Sequence, residues 1–373
     1  MAAPNTWAGT LNANEIFTSL FNMIISQQVF TKNISGTYGS LASRAMQEGS
    51  LYGDTKLYYS TDILETFPYE PDSSRQLNVL ETHRPKDPHV QAITVNQFRW
   101  IPITIDSYLS KRPYMTERVF SDFNSVCLQW LRDTREVYFS TTYNAFIGTE
   151  ETSEGSQQQV VDLSSSVIPN VSTTVDKEAY YRLIAEAVAE KLSNLRDEMK
   201  DISRTFNDLG YTRSIDPADM VIIWNAKWAN LLRKVGMPTI FHKDGLLEIK
   251  DENVLPSRYF GARNSSQKTA DAQTRSLVEQ TLNNVHYWAG DAIATGVTVP
   301  ANKSYQEASS LIADGTVICK IMHKDSIPLL AGFETETEFI NPKNRSENHY
   351  LHFGHNTLQH IYNYPLITVK VDV

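Results

Sequence analysis

The chain has 373 residues, 41% hydrophobic and 21% charged, ordinary globular values that exclude general disorder and allow two domains or slightly more. Its 34 basic and 43 acidic side chains leave a net charge of −9, which excludes tight, charge-driven nucleic-acid binding by the whole surface. Two cysteines make no disulfide framework; Cys127 on an apolar helical stripe and Cys319 in an apolar run are expected as small core residues.

No stretch approaches the roughly 18 consecutive apolar residues of a membrane span, and the N-terminus lacks a basic signal region. The chain is therefore expected to be cytosolic in origin. Residues 1–50 are poor in charge and rich in Asn, Ser, Thr and Gly, with one amphipathic piece at 15–30, and are expected to form an arm.

From 57 to 67 and from 90 to 105, β-branched and aromatic residues predict two strands. In the second, Ile93, Val95, Ile101, Ile103 and Ile105 share one parity and Phe98, Trp100 and Pro102 the other, so the ribbon must meet something on both faces. The connection carries Pro68, Pro71, Pro85 and Pro88 with Arg75, Arg84 and Lys86. Its prolines forbid a central strand and predict a long extended loop. An ordinary hairpin with a large surface loop fits the same local pattern.

An apolar stripe through Val119, Phe123, Val126, Cys127, Trp130, Leu131, Val137, Tyr138, Ala145 and Phe146 predicts a helix over 116–147, stopped by Gly148. Val126, Trp130 and Val137 are expected to be buried by it. Residues 149–175 read as a polar connector, and 176–209 as a second long helix closed by Gly210. The apolar spacing of that helix suits either a coiled-coil seam or a partner within the chain.

Over 216–315 an α/β pattern follows: strand 220–224, Asn225 as N-cap, helix 226–235, strands around the Asp244-Gly245 turn, and a helix carrying Leu277, Val278, Leu282, Val285 and Trp288. Strands are expected at 316–322, 333–340 and 366–373.

Phosphate-loop, dinucleotide, nucleophile-elbow and His-Glu-X-X-His signatures are absent from the sequence. His349, His352, His355 and His360 cluster near Glu347 and invite a metal reading. In a strand, however, His349 and His352 point to opposite faces, so partly exposed loop histidines are expected and neither metal nor cofactor. Glu334, Glu336 and Glu338 alternate with Phe333, Thr335, Thr337 and Phe339, which predicts three carboxylates on one solvated face.

Arm, long two-stranded loop, spine helix, α/β insertion and returning strands, in that order, resemble the major capsid proteins of tailed bacteriophages, the Hong Kong 97 fold. The local likenesses are Asp219-Met-Val-Ile-Ile-Trp-Asn225, Val317-Ile-Cys-Lys-Ile-Met-His-Lys-Asp325, Asn341-Pro-Lys-Asn and Tyr350-Leu-His-Phe353, the last two being similar to small-podophage capsid proteins. The resemblance implies an α+β fold with an N-terminal arm at 1–50, an extended loop at 51–110, a peripheral domain from 111–215 and 316–373, and an axial domain at 216–315. It implies a structural, non-enzymatic subunit that self-assembles through hexamers and pentamers into an icosahedral head around double-stranded DNA, held non-specifically. Implied partners are a portal protein and, because residues 1–50 are short for a fused scaffold, a separate scaffolding protein. The product would be a virion capsid assembled in the host cytoplasm, without membrane contact. Candidate inter-subunit contacts are Arg75, Arg84, Lys86 and Trp100. An encapsulin-like nanocompartment shell and a soluble metalloenzyme using the C-terminal histidines are the alternatives.

Overall fold

The computed structural model describes residues 40–48, 53–66, 84–106, 117–149, 160–163, 177–234, 250, 253–260, 287–288, 292–294, 297–298, 305–306, 317–343 and 346–371. The expected arm helix at 15–30, Arg75 and the strands around Asp244-Gly245 lie outside these residues.

In chain order the elements are α1 (Ser40–Ala45), β1 (Met46–Glu48), β2 (Thr55–Ser60), β3 (His89–Asp106), α2 (Glu117–Thr149), β4 (Val160–Leu163), α3 (Lys177–Lys200), β5 (Met220–Asn225) and α4 (Ala226–Lys234). There follow β6 (Val254–Leu255), β7 (Tyr287–Trp288), β8 (Ala292–Ala294), β9 (Val297–Thr298), β10 (Tyr305–Gln306), β11 (Val317–His323), β12 (Leu329–Asn341), β13 (Ser346–Asn356) and β14 (Leu366–Val371). Among the described residues two five-stranded sheets dominate, in the orders β1-β12-β13-β3-β2 and β4-β14-β11-β5-β6.

α2 runs for 33 residues, about 50 Å. Tyr138, Phe139, Tyr143, Phe146 and Ile147 from its C-terminal half enter one core with Leu329 and Phe353 of the first sheet and Ile223, Val317 and Leu366 of the second. Val126 is buried as expected, but Trp130 and Val137 are only partly so; among the described residues Trp130 packs with Ile103, Ile105 and Cys127. Both cysteines are buried, and desolvation pushes the Cys127 thiol up to about 11.

α2 ends at Thr149, where expected, one residue past Gly148; the missing side chain of Gly148 also lets the Tyr259 backbone carbonyl approach where a Cβ would collide.

α3 is shorter than its apolar spacing predicts. After Met199 the carbonyls turn elsewhere: the Ile215 amide donates to Met199 O at 2.9 Å and the Ser214 hydroxyl to Lys200 O at 2.6 Å. Ile202 is consequently exposed, and Gly210 occupies a turn with φ +65°. Ile184, Val188, Leu192, Leu195 and Met199 pack on Ile222, Trp224, Ile318 and Ile367 of the second sheet and on Trp228 and Leu232 of α4, so the seam has its partner within the chain. α3, β11 and β14 thus share a core with β5 and α4, across the expected boundary at residue 216.

β2 ends at Ser60, short of the expected 67, because the next residues bond to the 211–213 loop: Arg213 donates to Thr61 O at 2.6 Å and the Thr212 amide to Asp62 Oδ1 at 2.9 Å. The supposed connector contains β4, whose Val160 and Val161 pair parallel with β14. Trp288 belongs to β7, paired antiparallel with β10, and not to the end of a helix. Asn225 caps α4 as expected: its Oδ1 accepts from the Lys227 amide at 3.1 Å while its Nδ2 donates to Val317 O at 2.9 Å.

Phe146 is 1% exposed, so Phe146→Ala is expected to cost about 3–5 kcal/mol by cavity formation. Trp130→Ala, at a partly buried position, should cost clearly less. Urea denaturation midpoints of the two variants check this order.

Candidate inter-subunit surface

β3 alternates along all of its 18 residues, about 60 Å. Odd positions from Gln91 to Ile105 are buried or partly buried, while even positions from Val90 to Thr104 are exposed except for partly buried Thr94. On the inner face Ile93 and Val95 meet Leu330 and Ile361, and Ile103 and Ile105 meet Cys127 and Trp130 of α2. Both sides of the ribbon are apolar, yet within the described residues only the inner side is covered.

Register extends the outer face across three strands. Trp100 lies opposite His352, which lies opposite Thr335; Pro102, Tyr350 and Thr337 form the next row, and Thr104, Asn348 and Phe339 the next. Trp100 leans on Tyr350 with centroids 5.5 Å apart, and Phe98 stacks on His352 at 5.6 Å. Phe98 also meets Phe333 at 5.3 Å. Gly354 makes that contact possible, because a Cβ there would stand 2.7 Å from the Phe333 ring. Trp100 remains 54% exposed, Phe98 50% and Phe339 61%. Towards the other end, Leu57 and Tyr59 of β2 pair with Ala92 and Val90, adding an exposed apolar row to the same face.

Arg84 and Lys86 are exposed in the extended segment that leads into β3. Trp100 lies about 36 Å along the strand from His89, so the basic pair and the tryptophan occupy separate parts of one ribbon. Phe98 was expected on this face by parity, but the contributions of Phe333, Phe339 and Tyr350 were missed because β13, which joins β12 to β3, was not expected as a strand. Its signal was present: Leu351, Phe353 and His355 alternate with Tyr350, His352 and Gly354.

Three of the four histidines are not loop residues as expected: His349, His352 and His355 stand on β13, while His360 lies in the irregular segment after it. His349 and His352 are partly exposed as expected, whereas His355 and His360 are buried. His355 Nδ1 faces the Asn356 carbonyl at 2.7 Å, and a carbonyl only accepts, so Nδ1 carries the proton. Nε2 then accepts from the Tyr138 hydroxyl of α2 at 2.7 Å. Burial lowers the imidazole pKa to about 4.

Glu334, Glu336 and Glu338 do share an exposed face, on the α2 side of the sheet. Glu334 pairs with Arg135 of α2, and Glu336 Oε1 lies 3.6 Å from His349 Nδ1.

Solved structures share this architecture. A chain in the capsid structure of Staphylococcus phage Andhra matches at 11% identity and TM-score 0.54, covering 93% of this chain and 87% of that one. A chain in the structure of the head fibre and inner core protein of native bacteriophage P68 matches at 14% identity and TM-score 0.55, covering 92% and 87%. The fold is thus the α+β, Hong Kong 97-type fold of phage capsid proteins expected from element order. Across residues 6–363 the sequence matches the family model of the Phi29-like phage major capsid protein, and the chain belongs to that family. It is a structural capsid subunit, and neither the nanocompartment shell nor the metalloenzyme is favoured. No curated protein sequence gives a significant match.

The depressed His355 pKa has a definite consequence. Between about 4, its folded value, and 6.5, the unfolded state binds the additional proton, so stability falls as pH drops through that window. Urea denaturation across the window should show this slope, and His355→Gln should flatten it.

Proposed function

We propose that the subunit closes icosahedral heads around double-stranded DNA by laying the outer face of the β2–β3 ribbon, with its Pro-rich tip, on a neighbouring copy in hexamers and pentamers. The row of exposed apolar side chains from Tyr59 through Phe98 and Trp100 to Phe339 carries this reading. Exposed apolar patches of this kind, here two on one face separated by Thr94 and Asn96, mark interaction sites. Arg75, Arg84 and Lys86 are proposed to steer the tip onto acidic surface of the neighbour, a natural match in a chain of net charge −9. The same acidic balance suits DNA enclosed without tight phosphate contacts. A portal protein and a separate scaffolding protein are proposed as further partners, with assembly in the host cytoplasm. The peripheral body is assigned to α2 with the sheet of β3, β12 and β13, and the axial body to α3 and α4 with the sheet of β5, β11 and β14, the two meeting in the core around α2.

Phe98→Ser with Trp100→Ser changes only half-exposed positions, each expected to cost about 0.5 kcal/mol or somewhat more. The double variant should keep native far-ultraviolet circular dichroism yet form no closed particles in negative-stain images; normal shells would refute the outer-face interface. Arg84→Glu with Lys86→Glu should weaken assembly most at low salt, because exposed charges are screened beyond about 10 Å at 0.1 M. Sedimentation at several ionic strengths reads that dependence.

A further inference from the structure

Beside α2, the β12–β13 hairpin brings three donor side chains together. Glu338 lies directly opposite His349, and Glu347 precedes His349 by two residues on the same face. One ligand-capable atom from each of Glu338, Glu347 and His349 lies within 4.8 Å of the others. We propose that these three residues bind a first-row divalent cation, Zn²⁺ foremost.

Chemistry and surroundings both point this way. One imidazole nitrogen with two carboxylates is a donor set for zinc-like ions, whereas calcium and magnesium take oxygen alone. Donors about 2.0–2.1 Å from a tetrahedral ion stand about 3.4 Å apart, so carboxylate rotations of 1–1.5 Å close the set. Among the described residues neither Glu338 nor Glu347 has a cationic partner. Glu336 faces His349 Nδ1 at 3.6 Å, while Nε2 is enclosed and has no hydrogen-bond partner. Nδ1 thus lies near a carboxylate beyond hydrogen-bond distance, and Nε2 is free to meet an ion. A half-turn about the ring axis decides which nitrogen meets the ion.

Sequence reasoning discounted a metal because His349 and His352 diverge, and they do: His352 stacks on Phe98 across the sheet. The ligands come instead from His349 with carboxylates of the same face. Such an ion would pin β12 to β13 beside the turn at 342–343, leaving a coordination position for water or a further ligand. The site needs no assembled particle, so its test is independent of the capsid reading.

The untagged full chain, stripped with chelator, is titrated with Zn²⁺ by calorimetry, with Ca²⁺ in parallel. One Zn²⁺ per chain should bind, and Glu338→Gln, Glu347→Gln and His349→Asn should each weaken it at least about tenfold, while His352→Asn leaves it unchanged. Co²⁺ added to the unaltered chain should give the visible absorption of a four- or five-coordinate site, a readout independent of how the variants fold. The inference fails if Zn²⁺ binds no better than Ca²⁺, if His349→Asn binds like the unaltered chain, or if Co²⁺ remains octahedral.

Discussion

Burial of the C-terminal half of α2 is the constraint on which the rest of the molecule depends. Tyr138, Phe139, Tyr143, Phe146 and Ile147 present more apolar surface than one sheet face covers, and they are met from two sides. β12 and β13 approach through Leu329 and Phe353, and β5, β11 and β14 through Ile223, Val317 and Leu366. Among the described residues this core is where apolar side chains of both sheets meet. Two polar pins fix the helix in place: Tyr138 donates to His355 of β13, and Tyr143 donates to Ile327 O just before β12. Each satisfies a group whose burial would otherwise be costly.

Alternation and helical spacing made much of this architecture legible. The parity of Ile93, Val95, Ile103 and Ile105 against Phe98 and Trp100 became the inner and outer faces of β3, and the α2 stripe reached the expected length. What remained hidden depended on groups distant in sequence. Nothing near Met199 announces that Ser214 and Ile215 will take the carbonyls at the end of α3. Gly148 marks the end of α2 locally, and only the approach of Tyr259 reveals that it is also a spacer. β13 was obscured because Gly354 and three histidines are poor strand signals, although Gly354 is required there by the Phe333 ring.

The candidate surface was legible only in part, for the same reason. Trp100 could be placed on an unpartnered face from parity alone. Its companions could not, since Tyr350, His352 and Phe339 join that face through register across three strands. The histidines divide by environment: His355 is sealed under α2, His352 stacks on the outer face, and His349 sits among carboxylates beside α2. Residue type alone carries none of these distinctions.

An outer face that must fit a neighbour gains from being rigid before contact, since ordering side chains on association costs about 0.5–1.5 kcal/mol each. Here that rigidity is supplied through β13. Its outward side chains Tyr350 and His352 stack against Trp100 and Phe98, while its inward Phe353 and His355 are held by Tyr138 and Phe139 of α2. One strand thus connects the helix core to the exposed aromatic rows, with its two alternating sets of side chains serving opposite ends. Loss of the inner contacts would release the outer rows from their fixed spacing even if every outer side chain were retained. The proposed contact surface is in this sense built from within, by the same pairing of β13 with β3 and β12 that covers α2.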